Sequence, residues 1–272
     1  MVTFIANKNR KLSKLALYNC NDLSYGALMK LLRGKEVKVN GKRVNLDVDL
    51  SVGDKVEIYY NPTPIDKYNA IYSDENVIVI NKKSGHSSED VYADILSKNP
   101  TAKFIHRLDR NTSGIMIFAL NDIAETELLA GFKNRTFEKL YRAQVYGMME
   151  KKSDILTAYL FKDAVKSTVT ITDNKVKGST LIKTGYKVIE TGEDTTELEV
   201  TLFTGKTHQI RAHLAHIGHF IVGDGKYGNN AFNKLKKAKS QRLCAYKLTL
   251  NFADNSPLNY LDKKTFTCQV QY

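Results

Sequence analysis

The sequence predicts an α+β protein whose larger part is built on a mostly antiparallel, mixed β-sheet. Residues 76–80 and 114–120 are continuous apolar runs, as in strands buried on both faces. Residues 138–145 and 197–203 alternate apolar and polar side chains with period two, as in half-buried strands. A smaller α+β module is predicted to precede this sheet.

A proline pair marks the boundary between the two parts. Residues 61–64 have the sequence Asn-Pro-Thr-Pro and hold two of the four prolines of the 272-residue chain. Proline fixes its own φ and favours extended backbone at the residue before it, which is typical of a linker. We therefore predict a small domain over residues 1–60, a linker over 61–70 and a main domain over 71–272.

The small domain is predicted to contain a helix and a hairpin. Ser24 can cap a helix that ends before Gly34. One face of this helix carries the apolar side chains of Ala27, Leu28, Leu31 and Leu32. Asn40 and Gly41 lie between alternating apolar residues, the strongest short-range signal for a two-residue hairpin turn. Residues 52–59 then predict a turn and a further strand.

Basic side chains lie along the rim that this helix and hairpin are predicted to share, at Arg33, Lys35, Lys38, Lys42 and Arg43. The whole chain has 41 Lys and Arg against 29 Asp and Glu, a formal net charge of +12. Such a field attracts polyanions, and nucleic acid is the default partner because Lys and Arg displace the counterions of its phosphates. A lysine-rich solvated surface is the plainer alternative. A membrane is not expected, because no stretch approaches the ~18 apolar residues of a spanning helix.

Two helices are predicted in the main domain. Asp122 can cap a helix that runs to residue 134. Its apolar positions are Ile123, Leu128, Leu129 and Phe132. Thr207 can cap a second helix that runs to residue 217, where Gly218 would end it.

The three cysteines, Cys20, Cys244 and Cys268, are far apart in sequence and form no CxxC pair. Their spacing argues against a disulfide framework and against a thiolate metal cage. Residues 1–10 contain no apolar segment of the kind found in secretory signal peptides. A reducing cytoplasm is the expected location, and a monomer is the default expectation for the oligomeric state.

The densest polar cluster lies over residues 106–114, immediately before a predicted buried strand. Asp109 stands there among His106, Arg107 and Arg110. Nearby cations favour the ionised carboxylate, which could attack a carbon or accept a proton. Residue types alone favour a plainer interpretation, an ion-paired turn at the start of a strand, because structural ion-pair networks are common.

The cluster His-Arg-Leu-Asp followed by Thr-Ser-Gly resembles the catalytic loop of the RluA-type pseudouridine synthases. Further segments resemble that family's motifs in the family's order, at residues 81–85, 138–147, 204–214 and 221–228. Residues 10–60 resemble the S4 RNA-binding domain. The resemblance covers nearly the whole chain and implies a pseudouridine synthase catalytic domain preceded by a small S4-like domain.

The resemblance implies roles for individual residues. Asp109 would be the catalytic carboxylate, Tyr141 would lie against the uracil, and Arg211 would pair with Asp109. Arg107 would fill the space that an everted uridine leaves in the RNA stack. The implied reaction involves no redox change, so no cofactor is expected.

Departures from the family pattern concern substrate contacts. Lys206 and His208 are candidate RNA contacts, but Lys206 stands where the family usually has arginine, and Lys83 where it often has proline. Guanidinium and ammonium groups are not equivalent at a bidentate site, so Lys206 could weaken a phosphate contact or shift substrate choice. Val222 also departs from the usual pattern before Gly223 and Asp224.

Three functions are compatible with these patterns. The first is isomerisation of a uridine in structured RNA, with large-subunit ribosomal RNA the leading substrate and transfer RNA an open one. The second is a non-catalytic RNA-binding or ribosome-assembly protein on the same scaffold. The third, a metal-dependent nuclease, would rest on His208, His213, His216 and His219. No HExxH motif or cysteine partner accompanies these histidines, so no metal is expected.

The basic segment 234–239 is either a solvated loop or an arm that reaches RNA phosphates.

Overall fold

The computed structural model describes residues 1–20, 23, 25–60, 66–163, 168–270 and 272. The predicted helix cap Ser24 and the predicted linker residues 61–65 lie outside these ranges. The described chain divides into two compact units, Met1–Asp66 and Lys67–Tyr272.

The first unit contains six strands and two helices among its described residues. The strands are β1 Val2–Ile5, β2 Arg10–Lys11, β3 Val37–Val39, β4 Lys42–Val44, β5 Asp49–Leu50 and β6 Lys55–Ile58. The helices are α1 Leu12–Asn19 and α2 Tyr25–Arg33. Strands β1, β6, β3 and β4 form an antiparallel sheet in that order, and β2 pairs with β5.

The predicted hairpin joins β3 to β4. Its turn residues Asn40 and Gly41 have φ values of 50° and 79°, and positive φ at both positions is what a type I′ turn requires. The predicted helix is α2, in which Leu28 and Leu32 are buried. Ala27, predicted on the same face, is exposed, because α2 meets the core along the i, i+4 line of the two leucines.

The second unit contains eleven strands and four α-helices among its described residues. The strands are β7 Tyr68–Ser73, β8 Val77–Lys82, β9 Lys103–Phe104, β10 Ser113–Ala119, β11 Glu138–Tyr146, β12 Ser153–Asp163, β13 Thr168–Thr172, β14 Thr180–Thr191, β15 Thr195–Leu202, β16 Leu243–Thr249 and β17 Thr265–Thr267. The helices are α3 Ser88–Lys98, α4 Asp122–Asn134, α5 Gln209–His216 and α6 Asn230–Leu235, with a short 3₁₀ turn over Asn259–Leu261.

These strands form one sheet in the order β13-β12-β14-β15-β11-β16-β10-β8-β7, with β17 beside β16 and β9 beside β10. Among the described strands, only β10 and β16 pair in parallel. The predicted α+β class and the mostly antiparallel, mixed sheet are therefore confirmed. Strand β7 begins at Tyr68, so the last three positions of the predicted linker 61–70 belong to the sheet.

The centre of the sheet is covered on both faces. Along β10, Met116 and Phe118 pack into one apolar cluster, while Ile115 and Ile117 pack into another. The first cluster includes residues of α3 and α5, and the second includes residues of α4. Burial on both faces explains why this strand is apolar throughout.

Helices α4 and α5 begin differently from the prediction. The N-cap of α4 is Asn121 and not Asp122, because Asn121 is extended and its side chain accepts the Ala124 N–H at 2.9 Å. The N-cap of α5 is His208 and not Thr207, because the chain turns into the helix through the left-handed φ of His208, 54°.

The buried face of α4 is also narrower than predicted. Ala124 and Leu128 are buried against the sheet and Phe132 is half-buried, whereas Ile123 and Leu129 are 59% and 43% exposed. Only one stripe of this helix contacts the sheet, so its flanking apolar residues face solvent. No described helix is long and apolar enough to cross a membrane.

Candidate active site

The loop that carries Asp109 is fixed by buried side chains from other elements. Ser88, the first residue of α3, accepts the Leu108 N–H at 2.9 Å and donates its hydroxyl to the Leu108 carbonyl at 2.8 Å. Thr112 donates its N–H to the Asp109 carbonyl at 3.0 Å and accepts the side-chain amide of Gln241 at 2.6 Å. The backbone on both sides of Asp109 therefore has little freedom.

A buried lysine ties this loop to the end of β8. The ammonium of Lys82 donates to the carbonyl oxygens of Lys83, His86 and Arg110 at 3.1, 2.8 and 3.0 Å. Burial lowers the pKa of Lys82 to about 8, although the negative charge of Asp109 partly opposes this shift. Lys82 thus joins the segment after β8 to the Asp109 loop. Its three hydrogen bonds use all three N–H donors of the ammonium group, so they require the protonated form.

Arg211, on α5, connects two carboxylates. Its Nη1 donates to Asp109 Oδ2 at 2.7 Å. Its Nε and Nη2 donate to Asp224 Oδ2 and Oδ1 at 2.7 and 3.0 Å. The planar fork of a guanidinium allows a bidentate contact to Asp224 and a third bond to Asp109 at once, a geometry that an ammonium group does not offer. The predicted contact between Arg211 and Asp109 is therefore present.

The charges of this triad stabilise each other. Burial disfavours the charge of Arg211, but the hydrogen bonds and charges of Asp224, and then of Asp109, raise its pKa above the ordinary value. Burial likewise disfavours the charge of Asp224, but bonds from Arg211 hold its pKa below the ordinary value. Arg211 consequently remains a cation beside Asp109 throughout the neutral range.

Tyr141 forms part of the floor of the same site. It lies on β11, opposite Val200 of β15, at the place where the pairing of β11 with β16 shifts register. The residue is 8% exposed. Burial raises the pKa of its hydroxyl, and the negative charge of Asp109 raises it further, so the phenol stays neutral at pH 7.

Asp109, Tyr141 and Arg211 line one pocket of about 310 Å³. Its walls contain all six of the predicted site residues of the main domain, namely Arg107, Asp109, Tyr141, Lys206, His208 and Arg211. The side chain of Arg107 is 64% exposed and lies 3.2 Å from Glu89, at the rim. The pocket therefore has a buried, charged end and an open, basic mouth.

His208 lies between the pocket and the half-buried Tyr227. Its Nδ1 is 2.8 Å from the hydroxyl of Tyr227, which also accepts the N–H of Val169 at 2.9 Å. Its Nε2 is 3.9 Å from Asp109 Oδ2, too far for a direct hydrogen bond. Burial lowers the pKa of His208, although the negative charge of Asp109 opposes this.

The other histidines have separate structural partners. His106 accepts the Ile117 N–H at 3.1 Å, and burial followed by the charge of Lys139 lowers its pKa to about 3. His213 lies 3.0 Å from the Thr184 hydroxyl, while His216 lies 2.8 Å from Asp173. Among the described residues, no group of three or more His, Cys, Asp or Glu side chains is arranged to hold a metal ion.

The predicted basic rim of the first unit is partly assembled. Lys38 and Arg43 pair across the hairpin and so share one face of it. Arg43 donates to the Lys35 carbonyl at 3.0 Å, and Arg33 is exposed at the end of α2. Lys42 pairs with Val39 instead, and strand alternation puts it on the opposite face from Lys38 and Arg43.

The residues that support the site were not predicted from the sequence. Asp224 and Tyr227 both lie in segment 221–228, and Lys82 lies in segment 81–85, but neither segment gave them a role. An acidic residue held in a Gly-Asp turn could have been considered as a partner for Arg211. The burial of Lys82 has no local signal, because most lysines are exposed.

The sequence matches known proteins over most of its length. Residues 75–216 match the family described as RNA pseudouridylate synthase. Ribosomal large subunit pseudouridine synthase C of Vibrio vulnificus is 31% identical over 240 residues, 78% of this chain and 74% of the relative. Dual-specificity RNA pseudouridine synthase RluA of Vibrio cholerae is 32% identical over 62% of this chain and 71% of that protein.

The fold is also similar to that of a solved structure. Human RNA Pseudouridylate Synthase Domain Containing 1 superposes with a TM-score of 0.61 at 22% identity, over 78% of this chain and 94% of that chain. The chain therefore belongs to the RNA pseudouridylate synthase family. It is an RNA pseudouridine synthase, an isomerase that converts uridine in RNA to pseudouridine.

Proposed function

We propose that Asp109 is the catalytic carboxylate of this isomerisation. The observation that carries the proposal is the 2.7 Å contact between Arg211 Nη1 and Asp109 Oδ2 inside the pocket. A charge-assisted bond of this kind orients the carboxylate and favours its ionised form. An oriented anion is the group that a reaction at the sugar carbons or the uracil ring requires.

The reaction balances without a cofactor. The bond from ribose C1′ to uracil N1 breaks, a bond from C1′ to C5 forms, and the proton of C5 is lost while N1 gains one. No electrons are gained or lost, so neither a flavin nor a nicotinamide is needed. The site must supply an anion, a surface on which the base turns, and exclusion of water.

Tyr141 and Arg107 fit the remaining tasks. The neutral ring of Tyr141 offers an aromatic surface beside Asp109 on which a uracil can lie while it rotates. The uridine must first leave its stack, at a cost of about a few kcal/mol. Arg107, exposed at the mouth, carries a guanidinium plane that can occupy the vacated position.

The substrate that we propose is large-subunit ribosomal RNA, with transfer RNA as the alternative outcome of the test. The relatives from Vibrio species carry this specificity in their names. The first unit would serve as an S4-like RNA-binding module that contacts the RNA backbone through Arg33, Lys35, Lys38 and Arg43, whereas Lys42 lies on the opposite face of the hairpin. Lys206 would contact a phosphate near the pocket. We also place the protein in the cytoplasm as a monomer.

The test compares RNA from cells with and without this gene. Pseudouridine mapping should show one or a few large-subunit ribosomal positions that lose the modification. Purified protein should restore them on an unmodified transcript, while Asp109→Asn should lower kcat by at least ~10³-fold without loss of RNA binding. The matched control is Asp122→Asn, since Asp122 is exposed and pairs with Lys103 outside the pocket.

The outcomes separate the parts of the proposal. Wild-type turnover by Asp109→Asn would remove Asp109 from its role. Loss of modification in transfer RNA alone would reassign the substrate. Combined Lys38→Glu and Arg43→Glu should weaken RNA binding at least ~10-fold and flatten its salt dependence, whereas Lys14→Glu, on the exposed side of α1, should have a much smaller effect.

A further inference from the structure

The proton positions around His208 follow from its partners. The Tyr227 oxygen already accepts the N–H of Val169 at 2.9 Å. The Tyr227 hydroxyl has His208 Nδ1, at 2.8 Å, as the acceptor for its own proton when the imidazole is protonated on Nε2. A neutral imidazole that accepts at Nδ1 carries its proton on Nε2. The lowered pKa of His208 agrees with a neutral ring.

The Nε2–H of this tautomer lies beside the proposed catalytic carboxylate. Nε2 and Asp109 Oδ2 are 3.9 Å apart, and both belong to the pocket wall. An oxygen placed about 2.8 Å from each atom would see them at about a right angle, close to the directions in which a hydroxyl accepts and donates. The pair is thus spaced to hold one oxygen atom between a donor and an acceptor.

The chemistry of the pair limits what that oxygen can be. It must accept from Nε2–H and donate to the carboxylate, which a hydroxyl does with a single atom. A phosphate oxygen has no proton to donate at neutral pH and would be repelled by Asp109. If Asp109 acts at the sugar carbons while the uracil lies on Tyr141, the group beside Asp109 belongs to the ribose.

We propose that His208 donates its Nε2–H to the 2′-hydroxyl of the target uridine and so selects ribose over deoxyribose at that position. The inference rests on the proposed role of Asp109. Tyr227 acts as a positioning residue, because its hydroxyl fixes the tautomer and direction of the His208 ring.

The surrounding structure supports a fixed ring. Tyr227 is held by Asp224 Oδ1, which accepts its N–H at 3.1 Å, and its ring lies 5.2 Å from the guanidinium of Arg211. His208 adopts a left-handed φ of 54°, a conformation that costs free energy and is concentrated at functional sites. Asp224 therefore helps to orient both Arg211, which it binds directly, and His208, which it reaches through Tyr227.

The experiment uses an oligoribonucleotide around the mapped target, synthesised with either uridine or 2′-deoxyuridine at that one position. Single-turnover rates and kcat/KM are measured for wild type, His208→Ala, His208→Gln and Tyr227→Phe. His208→Ala should lower kcat/KM at least ~10-fold on the uridine RNA but at most about threefold on the deoxyuridine RNA, because the lost contact is absent there.

Two further variants and one control test the role of the His208 ring more closely. His208→Gln, whose amide N–H reaches near the Nε2 position, should recover part of the difference between the two RNAs. Tyr227→Phe should also reduce that difference. Because Tyr227→Phe removes the acceptor of the buried Val169 N–H, the melting temperature of each variant is measured to show that it folds. His216→Gln is the control, since His216 lies on the same helix and contacts Asp173 instead.

Two results would overturn the inference. Equal losses by His208→Ala on both RNAs would assign His208 to a phosphate or to the uracil. Wild-type rates of His208→Ala on both RNAs would remove His208 from substrate recognition altogether. Failure of the proposed function is a separate result, because wild-type protein would then leave even the uridine RNA unmodified.

Discussion

Asp224 holds the guanidinium of Arg211 by two hydrogen bonds, at Nε and at Nη2, and so leaves Nη1 directed at Asp109. Asp224 is itself fixed, since it is 1% exposed and accepts the backbone N–H groups of Lys226 and Tyr227. Asp224, in the turn after α5, therefore determines the direction from which Arg211 approaches the proposed catalytic carboxylate. Arg211 is aimed by a residue that does not line the pocket.

Asp224→Asn tests this relationship. The amide keeps the shape but removes the charge, so Arg211 becomes a buried cation with only Asp109 as counter-charge. We expect kcat to fall ~10–100-fold with KM changed by less than about threefold, and unfolding free energy to fall by about 2–4 kcal/mol. Steady-state kinetics and denaturant titration give the two values. Asp173→Asn, at an 82% exposed side chain, is the control, and wild-type kcat in Asp224→Asn would contradict the positioning role.

Ser88→Ala should loosen the Asp109 loop. The hydroxyl satisfies both the N–H and the carbonyl of Leu108, and its removal leaves two buried backbone groups without that partner. We expect a loss of about 1–3 kcal/mol of unfolding free energy and a roughly tenfold lower kcat. Ser97→Ala, on the exposed side of the same helix, should stay within about 0.5 kcal/mol of wild type. Equal stability of the two variants would show that the Ser88 bonds do not fix the loop.

Gly114→Ala should prevent normal folding of the second unit. Gly114 has a φ of 119°, and a Cβ there would lie 2.3 Å from the carbonyl oxygen of Ala245 on the parallel partner strand. The clash is with backbone, so we expect a loss of at least ~4 kcal/mol, seen as a lower melting temperature or insoluble protein. Gly26→Ala, in helix α2 with no atom near the new Cβ, should instead stabilise by about 0.5–1 kcal/mol. A Gly114→Ala protein that melts like wild type would refute the close strand approach.

His213 should make the second unit sensitive to acid. Burial lowers its pKa from 6.5 to about 4, so the unfolded state binds the proton more readily than the folded state. Stability from this group is therefore complete above about pH 7 and falls as the pH drops through 6.5 toward 4, by about 3 kcal/mol. Unfolding free energies measured at intervals from pH 7.5 to 4 should show this slope. His213→Asn should flatten it, while His216→Gln should retain most of it, because burial is the main cause of the shift and the charge of His216 the smaller one. An unchanged slope in His213→Asn would assign it to other groups.

Local sequence signals were sufficient for several elements. The turn at Asn40 and Gly41, the continuous apolar strand β10 and the extent of α4 all follow from turn chemistry and side-chain periodicity. These features depend on residues within a few positions of each other, so the local sequence is sufficient to specify them. The motif segments likewise led to the family without any structural information.

Features that depend on packing were predicted less well. The N-cap of α4 lies one residue before the predicted position and that of α5 one residue after it, because the incoming backbone decides which residue can cap. Ile123 faces solvent although it is apolar, since the sheet covers only one stripe of α4. Helix α3 and strands β12 and β14 carried no periodicity strong enough to be singled out.

By itself, the sequence determined the family and identified Asp109, Tyr141 and Arg211 as the residues to examine. Only the tertiary structure decided that Arg211, 102 positions from Asp109 in the chain, reaches it while its other edge is bound by Asp224. The reason is geometric: β15, β11, β16 and β10 lie side by side in an order unrelated to their order in the chain, and α5 follows β15 while the Asp109 loop precedes β10. Contacts between side chains brought together in this way depend on the whole sheet, and no local pattern of residues contains them.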